Sequence, residues 1–231
     1  MLRVAVAGAL GRMGRVACTA LRTADDVTYA GGFARTPVPD EAIVADLDAL
    51  LEQSPDVLLD LTTHPASVEI STRALERGVR VVIGATGWTA AEREALDALA
   101  RARGLGALLV PNFALGAILM MRFAEMAAKH FPSVEIIELH HDKKKDVPSG
   151  TARLTAERIA AAGGPEHVPI HSVRMRGLLA HQEVLFGNDG EVLMIRHDSL
   201  GRESFVPGML AAVRAVGGIS GLEVGLDRVI G

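Results

Sequence analysis

The sequence predicts an α/β chain in which a doubly wound parallel sheet precedes a second, α+β unit. Three observations lead there. The first half alternates short Val-, Leu- and Ile-rich runs with helical periodicity, as parallel strands with helical crossovers do. A glycine-spaced turn follows the first run directly. Beyond Pro111 the alternation gives way to strand-like runs joined by short connections.

Taken in order, the predicted strands of the first unit are 2–7, 27–33, 57–61, 79–83 and 107–110. After the first strand, Met13, Val16, Ala17, Ala20 and Leu21 recur at helical spacing. Thr89 with Glu92 forms a capping-box pattern ahead of a helix reaching about residue 103. The second unit opens with a helix over about 117–129 that ends at Phe131-Pro132, followed by a strand over 134–139. A helix over about 152–162 stops at Gly163-Gly164-Pro165. Strands follow at 170–175, 179–186 and 192–197, the last two joined through Gly187-Asn188-Asp189-Gly190 as a hairpin. A helix over about 205–216 and a final strand over 223–230 return to the first unit. The expected organisation is therefore 1–111 with 206–231 as one domain and 112–205 as the other, the second offering a sheet that pairs with a copy of itself.

Composition bounds the function. The 231 residues suffice for two hydrophobic cores. The net charge of −4 and 3% aromatic content argue against nucleic acid as a partner. Every apolar run is interrupted well short of a membrane span, so a soluble chain is expected. The single cysteine, Cys18, cannot form an internal disulfide, and no export leader precedes the first strand, so a cytoplasmic location is expected. Lysine occurs only at 129, 143, 144 and 145 in a chain that otherwise uses arginine, which concentrates ammonium groups in one run.

Gly8-Ala9-Leu10-Gly11-Arg12-Met13-Gly14 lies between a strand and a helix, the context in which a glycine loop cradles a dinucleotide pyrophosphate. The first unit is accordingly read as Rossmann-type. Glycine permits the sharp turn, and amides at the helix start favour the anion. Twenty residues after Gly14, where an acidic side chain would take the ribose hydroxyls of NADH, stands Ala34, followed by Arg35. Arg35, with Arg12 and Thr36 nearby, suits a 2′-phosphate, so NADPH is expected and NADH use is left open. Gly84-Ala85-Thr86-Gly87 and Val110-Pro111-Asn112-Phe113 end two further strands, where doubly wound sheets receive ligands. Both are candidates for the nicotinamide end.

The segment from Glu138 to Ala152 carries the chemistry. It starts as a strand and ends as a helix start, with Ser149 or Thr151 as cap and Gly150 and Thr151 presenting amides to an anion. Histidines and lysines just upstream add donors, so the segment reads as a cradle for a dicarboxylate. A metal is not expected, because His140 and His141 are adjacent on a strand and point to opposite faces.

Glu138-Leu139-His140-His141, Lys144, Asp146 and Pro148-Ser149-Gly150-Thr151-Ala152 together resemble the E-x-H-H-x-x-K-x-D-x-P-S-G-T-A signature of dihydrodipicolinate reductases. The segments at Gly8, Gly84 and Pro111 resemble that family's nucleotide segments in the same order, and His197-Asp198-Ser199, Arg202 and Phe205 its strand end and hinge. The resemblance implies reduction of 4-hydroxy-tetrahydrodipicolinate to tetrahydrodipicolinate with loss of water, on the diaminopimelate route to lysine. It implies hydride transfer to C4, His140 as general acid and Lys144 as its catalytic partner. His141, Gly150 and Thr151 would hold the substrate carboxylates, Gly8 to Met13, Arg35, Gly84 to Thr86 and Val110 to Phe113 the nucleotide, and the oligomer would be a homotetramer. Two departures stand out: Ala34 replaces the acidic residue of many relatives, and the connection between nucleotide segments is shorter than in the longer ones. An imine or semialdehyde dehydrogenase on the same domain plan, or a non-catalytic NADPH-binding sensor, is the alternative; a thiol mechanism would require Cys18, which reads as a core residue.

Overall fold

A computed structural model describes all residues, 1–231. The chain divides into two compact units, Met1–Phe113 with Phe205–Gly231, and Ala114–Ser204.

The first unit is a seven-stranded sheet, all parallel, with the order β11-β6-β5-β4-β1-β2-β3. Its strands are β1 (Leu2–Ala7), β2 (Val27–Phe33), β3 (Ile43–Val44), β4 (Val57–Asp60), β5 (Arg80–Ile83), β6 (Gly106–Leu109) and β11 (Gly221–Val224). Val4 to Ala7, Val57 to Leu59 and Val81 to Ile83 are buried, which is why these runs are continuously apolar rather than alternating. Helices α1 (Arg12–Thr23), α2 (Leu47–Leu51), α3 (Ala66–Glu76), α4 (Ala90–Arg103) and α7 (Val206–Ala215) connect or flank them. The capping box of α4 forms as predicted, with Thr89 Oγ1 accepting the Glu92 N–H and Glu92 accepting the Thr89 N–H. Gly104 closes the helix in the left-handed region at φ 63.

Chain order reverses at β1, which pairs with β2 on one side and β4 on the other. In an open parallel sheet this reversal opens a crevice at the carboxyl ends of the two strands, which here end next to Gly8 and Leu61.

One predicted strand is corrected in its extent. The final strand, expected over 223–230, is β11 at Gly221–Val224, and residues 225–230 are not strand, because Gly225, at φ 87, turns the chain away. Leu226 beyond it is buried, so the apolar tail anchors by a turn rather than by pairing. The short β3 and α2 carry too few residues for periodicity to reveal them.

The second unit is a mixed sheet of order β10-β9-β7-β8, with β7 (Ser133–His140), β8 (Ile170–Arg174), β9 (Ala180–Asn188) and β10 (Glu191–Ser199). β7 runs parallel to β8 and antiparallel to β9, and β9 and β10 form the predicted hairpin through Asp189 and Gly190. Helices α5 (Leu115–Ala128) and α6 (Gly150–Ala161) supply its apolar cover. Along β7, Val134, Ile136 and Glu138 alternate inward and are buried. A carboxylate thus occupies the third place in a row of core side chains.

Candidate active site

The glycine loop is held by contacts that only glycine allows. Gly8 leaves β1 at φ 77, and a Cβ there would meet the Leu61 carbonyl oxygen at 2.8 Å. A Cβ at Gly14 would lie 2.1 Å from the Gly8 oxygen, so the third glycine lets α1 close onto the loop. The amides of Gly8 and Ala9 donate to Phe33 O at 2.9 and 3.2 Å, and that of Gly11 to Gly8 O at 2.9 Å. Arg12 and Met13 provide the first amides of α1, which a helix start leaves without partners in the helix.

Beside the loop opens a cleft of about 860 Å³, lined among others by Gly8, Leu10, Gly11, Arg35, Thr36 and Thr62. The structure therefore brings Arg35 and Thr36 to the same cavity as the glycine turn, although 20 or more residues separate them from Gly14 in sequence. Ala34 N–H is spent on Val44 O at 3.0 Å, fixing the turn that presents Arg35. A cleft walled by a glycine turn, a helix start and a guanidinium fits a dinucleotide phosphate.

Leu61 to Thr63 form the opposite wall, and the buried Asp60 shapes it. Its carboxyl accepts Thr62 N–H at 2.9 Å and Thr62 Oγ1 at 2.5 Å, and also the hydroxyls of Ser67 and Ser71. Burial raises its pKa against these hydrogen bonds. Gly84 N–H donates to Asp60 O at 2.8 Å, and a Cβ at Gly84 would press on Leu61 and Phe113, both at 2.9 Å. Ala85, Val110 and Phe113 are buried, while Thr86 and Pro111 are exposed. His64 reaches Glu92 at 3.0 Å. Glu92 is held at about 2 by the Thr89 N–H, with His64 and the Thr89 hydroxyl adding to it.

In the second unit, His140 and the Ser149 amide meet Glu138, and Gly150 and Thr151 follow Ser149 at the start of α6. His140 Nδ1 lies 2.5 Å from Glu138 Oε2. Arg174, the register partner of His140 on β8, forks onto both Glu138 oxygens at 2.8 and 2.7 Å. Ser149 N–H donates to Glu138 Oε1 at 3.2 Å, and Ser149 Oγ caps α6 by accepting Ala152 N–H at 3.1 Å. One buried carboxylate thereby ties together two strands and the start of the helix bearing Gly150 and Thr151. Lys144 Nζ pairs with Asp146 at 2.7 Å, and Asp146 O accepts from Arg174 at 2.8 Å. Burial would raise the Glu138 pKa, but the Arg174 fork, with the Ser172 hydroxyl and then His140 adding to it, outweighs this and leaves the carboxyl at about 2. Burial lowers the pKa of His140, and the charges of Lys144 and Arg174 add to that against the pull of Glu138. The downward shift favours the neutral ring, one nitrogen of which faces a carboxylate.

A family model described as the N-terminus of dihydrodipicolinate reductase matches residues 2–113, and one described as its C-terminus matches 116–230. The chain belongs to the dihydrodipicolinate reductase family. A 4-hydroxy-tetrahydrodipicolinate reductase from Bacillus velezensis is 44% identical over 266 aligned positions, covering 99% of this chain and 98% of the relative. One from Mycolicibacterium smegmatis is 43% identical over 251 positions, covering 99% of each. A solved structure described as dipicolinate-bound dihydrodipicolinate reductase from Paenisporosarcina sp. TG-14 superposes with a TM-score of 0.88 at 37% identity, covering 99% of both chains. The family is one of oxidoreductases with a Rossmann nucleotide unit, acting in lysine and diaminopimelate biosynthesis.

For this member of the dihydrodipicolinate reductase family, sequence reading gave no role to Glu138 or Arg174, the two groups that organise the second unit's site. The alternation of Val134, Ile136 and Glu138 was the available signal for the first, since an acidic residue in a core row needs a partner. Arg174 had none, because its pairing with β7 depends on sheet register. Asp60 and His64 were also passed over, as was the His181 to Asp198 contact of 2.7 Å across the β9–β10 hairpin.

Proposed function

We propose that this chain is a 4-hydroxy-tetrahydrodipicolinate reductase that prefers NADPH, uses His140 as general acid, and works in the cytoplasm as a homotetramer. The observation that carries the reading is the attachment of His140 and the α6 start to one buried carboxylate, with the Lys144–Asp146 pair joined to it through Arg174, in a chain whose other unit offers a nucleotide-sized cleft.

In the first unit, Gly8, Leu10, Gly11, Arg12 and Met13 hold the pyrophosphate on the α1 start, and Arg35 with Thr36 pairs with the 2′-phosphate. Thr86 and Asn112 orient the carboxamide, with Ala85, Val110, Pro111 and Phe113 shaping the wall around it. Bound NADPH supplies the hydride that reaches C4 of the substrate.

In the second unit, the dipole and amides at Gly150 and Thr151 receive one substrate carboxylate, and His141 holds the other. The same helix start is fixed to Glu138 through Ser149, so a diacid seated there lies beside the imidazole. A dianion next to His140 favours the imidazolium, which opposes the burial that keeps the free ring neutral. His140 then donates a proton, and Lys144 stabilises negative charge developing in the transition state. Asp146 keeps the Lys144 ammonium on station.

Assembly finds support on β10, an edge strand whose Val192, Leu193 and Met194 are exposed at 70%, 38% and 54%. A long apolar edge of this kind is ordinarily covered.

The test is NADPH oxidation by purified protein with and without the dicarboxylate precursor. Consumption that depends on the precursor is expected; a purified, folded protein that leaves the precursor unreduced would overturn the reading.

A further inference from the structure

We infer that Glu138 is the positioning residue of the proton-donating site, its carboxylate holding the His140 ring with Nδ1–H inward and Nε2 toward substrate. The inference deepens the reading of His140 as proton donor and rests on it.

The sequence pattern on β7 poses the problem. Positions that hold Val134 and Ile136 are followed in the same inward row by Glu138, whose side chain is 0% exposed. A buried carboxylate is strongly unfavourable unless its lone pairs are met. Arg174 meets both oxygens with a planar fork, and Ser149 N–H adds a third donor. These three would satisfy a structural anchor. The fourth contact, His140 Nδ1 at 2.5 Å, is the shortest of the set and comes from a ring that is itself 14% exposed.

Chemistry then fixes which nitrogen carries hydrogen. An ionised carboxylate only accepts, so the ring atom facing it must be N–H. The neutral ring is therefore the Nδ1–H tautomer, its lone pair sits on Nε2, and a proton gained or given travels through Nε2. Arg174 prevents the alternative in which Glu138 itself takes the proton, because two guanidinium hydrogen bonds stabilise the anion. Arg174 also binds Asp146 O, and Asp146 pairs with Lys144, so a single fork aligns both proposed catalytic groups.

The first test is nitrogen-15 NMR of the His140 ring in the wild-type protein, above the pH at which the ring is protonated. A pyrrole-type Nδ1 and a pyridine-type Nε2 are expected; the opposite tautomer overturns the inference, and this measurement reads it whether or not the proposed substrate turns over. The second is the pH profile of Glu138→Gln. Loss of the negative charge disfavours the imidazolium, so the basic limb of kcat moves to lower pH and kcat at about pH 8 falls by about tenfold or more, while the KM for NADPH holds within about twofold. A limb that stays in place overturns the inference. Should Glu138→Gln fail to fold, the wild-type tautomer decides alone.

Discussion

Gly14 stands so close to Gly8 that a single added carbon on the helix residue would lie 2.1 Å from the loop carbonyl. The third glycine of the motif is thus a packing requirement between α1 and the turn that precedes it. Gly14→Ala is expected to displace α1, destabilise the protein by about 1–3 kcal/mol and weaken NADPH binding by roughly tenfold or more. Gly217→Ala, at a position where an added Cβ meets nothing within 4 Å, should change stability by no more than about 0.5 kcal/mol. Thermal unfolding and nucleotide titration of the two variants check the contrast.

His140→Ala and Lys144→Ala should each lower kcat by about 10²- to 10⁴-fold for the histidine and by a smaller factor for the lysine. Both residues belong to the second unit, whereas the nucleotide loop belongs to the first. The dissociation constant for NADPH should therefore change little, within about threefold. Steady-state kinetics paired with a binding titration decides the matter; parallel losses in turnover and nucleotide affinity would contradict the assignment.

Arg35 shares its cleft with Gly8 and Gly11, and no carboxylate occupies position 34 to repel a phosphate. Arg35→Ala should raise the KM for NADPH by roughly tenfold or more, the equivalent of one charge-assisted hydrogen bond, and leave that for NADH nearly unchanged. An unaltered ratio of the two would remove Arg35 from the phosphate subsite.

The glycine loop and the parallel strands were legible because their signals are local. Gly8, Gly11 and Gly14 sit within seven residues, and each buried strand announces itself as an apolar run. The β9–β10 hairpin was readable from Gly187 to Gly190 for the same reason. The end of the chain misled, since Leu226, Val229 and Ile230 look strand-like while Gly225 at φ 87 has already turned the backbone. At the site, His140 and Lys144 stand in one dense segment and are conspicuous. Arg174 lies 36 residues from Glu138, and only the β7–β8 register brings them together. The segment proposed as a cradle was visible in sequence; the contacts of Glu138 with Arg174 and Ser149 required the fold.

Burial pushes His140 below its ordinary pKa in the free protein, so a neutral ring is expected at about pH 7.5. A bound dianion stabilises the imidazolium and raises the pKa in the complex. Binding of a diacid should therefore take up a fraction of a proton, the uptake growing as pH rises above the free-state pKa and fading once pH exceeds that of the complex. Calorimetric titration with dipicolinate in buffers of different ionisation enthalpy measures this. Uptake that is absent in His140→Ala supports the account, and no uptake in the wild-type protein counts against it.

The most direct test of the account is a crystal structure of the protein with dipicolinate bound. One carboxylate is expected on the amides of Gly150 and Thr151, with the ring of His140 turning Nε2 toward the ligand and Nδ1 still on Glu138. A diacid seated away from the α6 start, or a His140 ring detached from Glu138 in the complex, would contradict it.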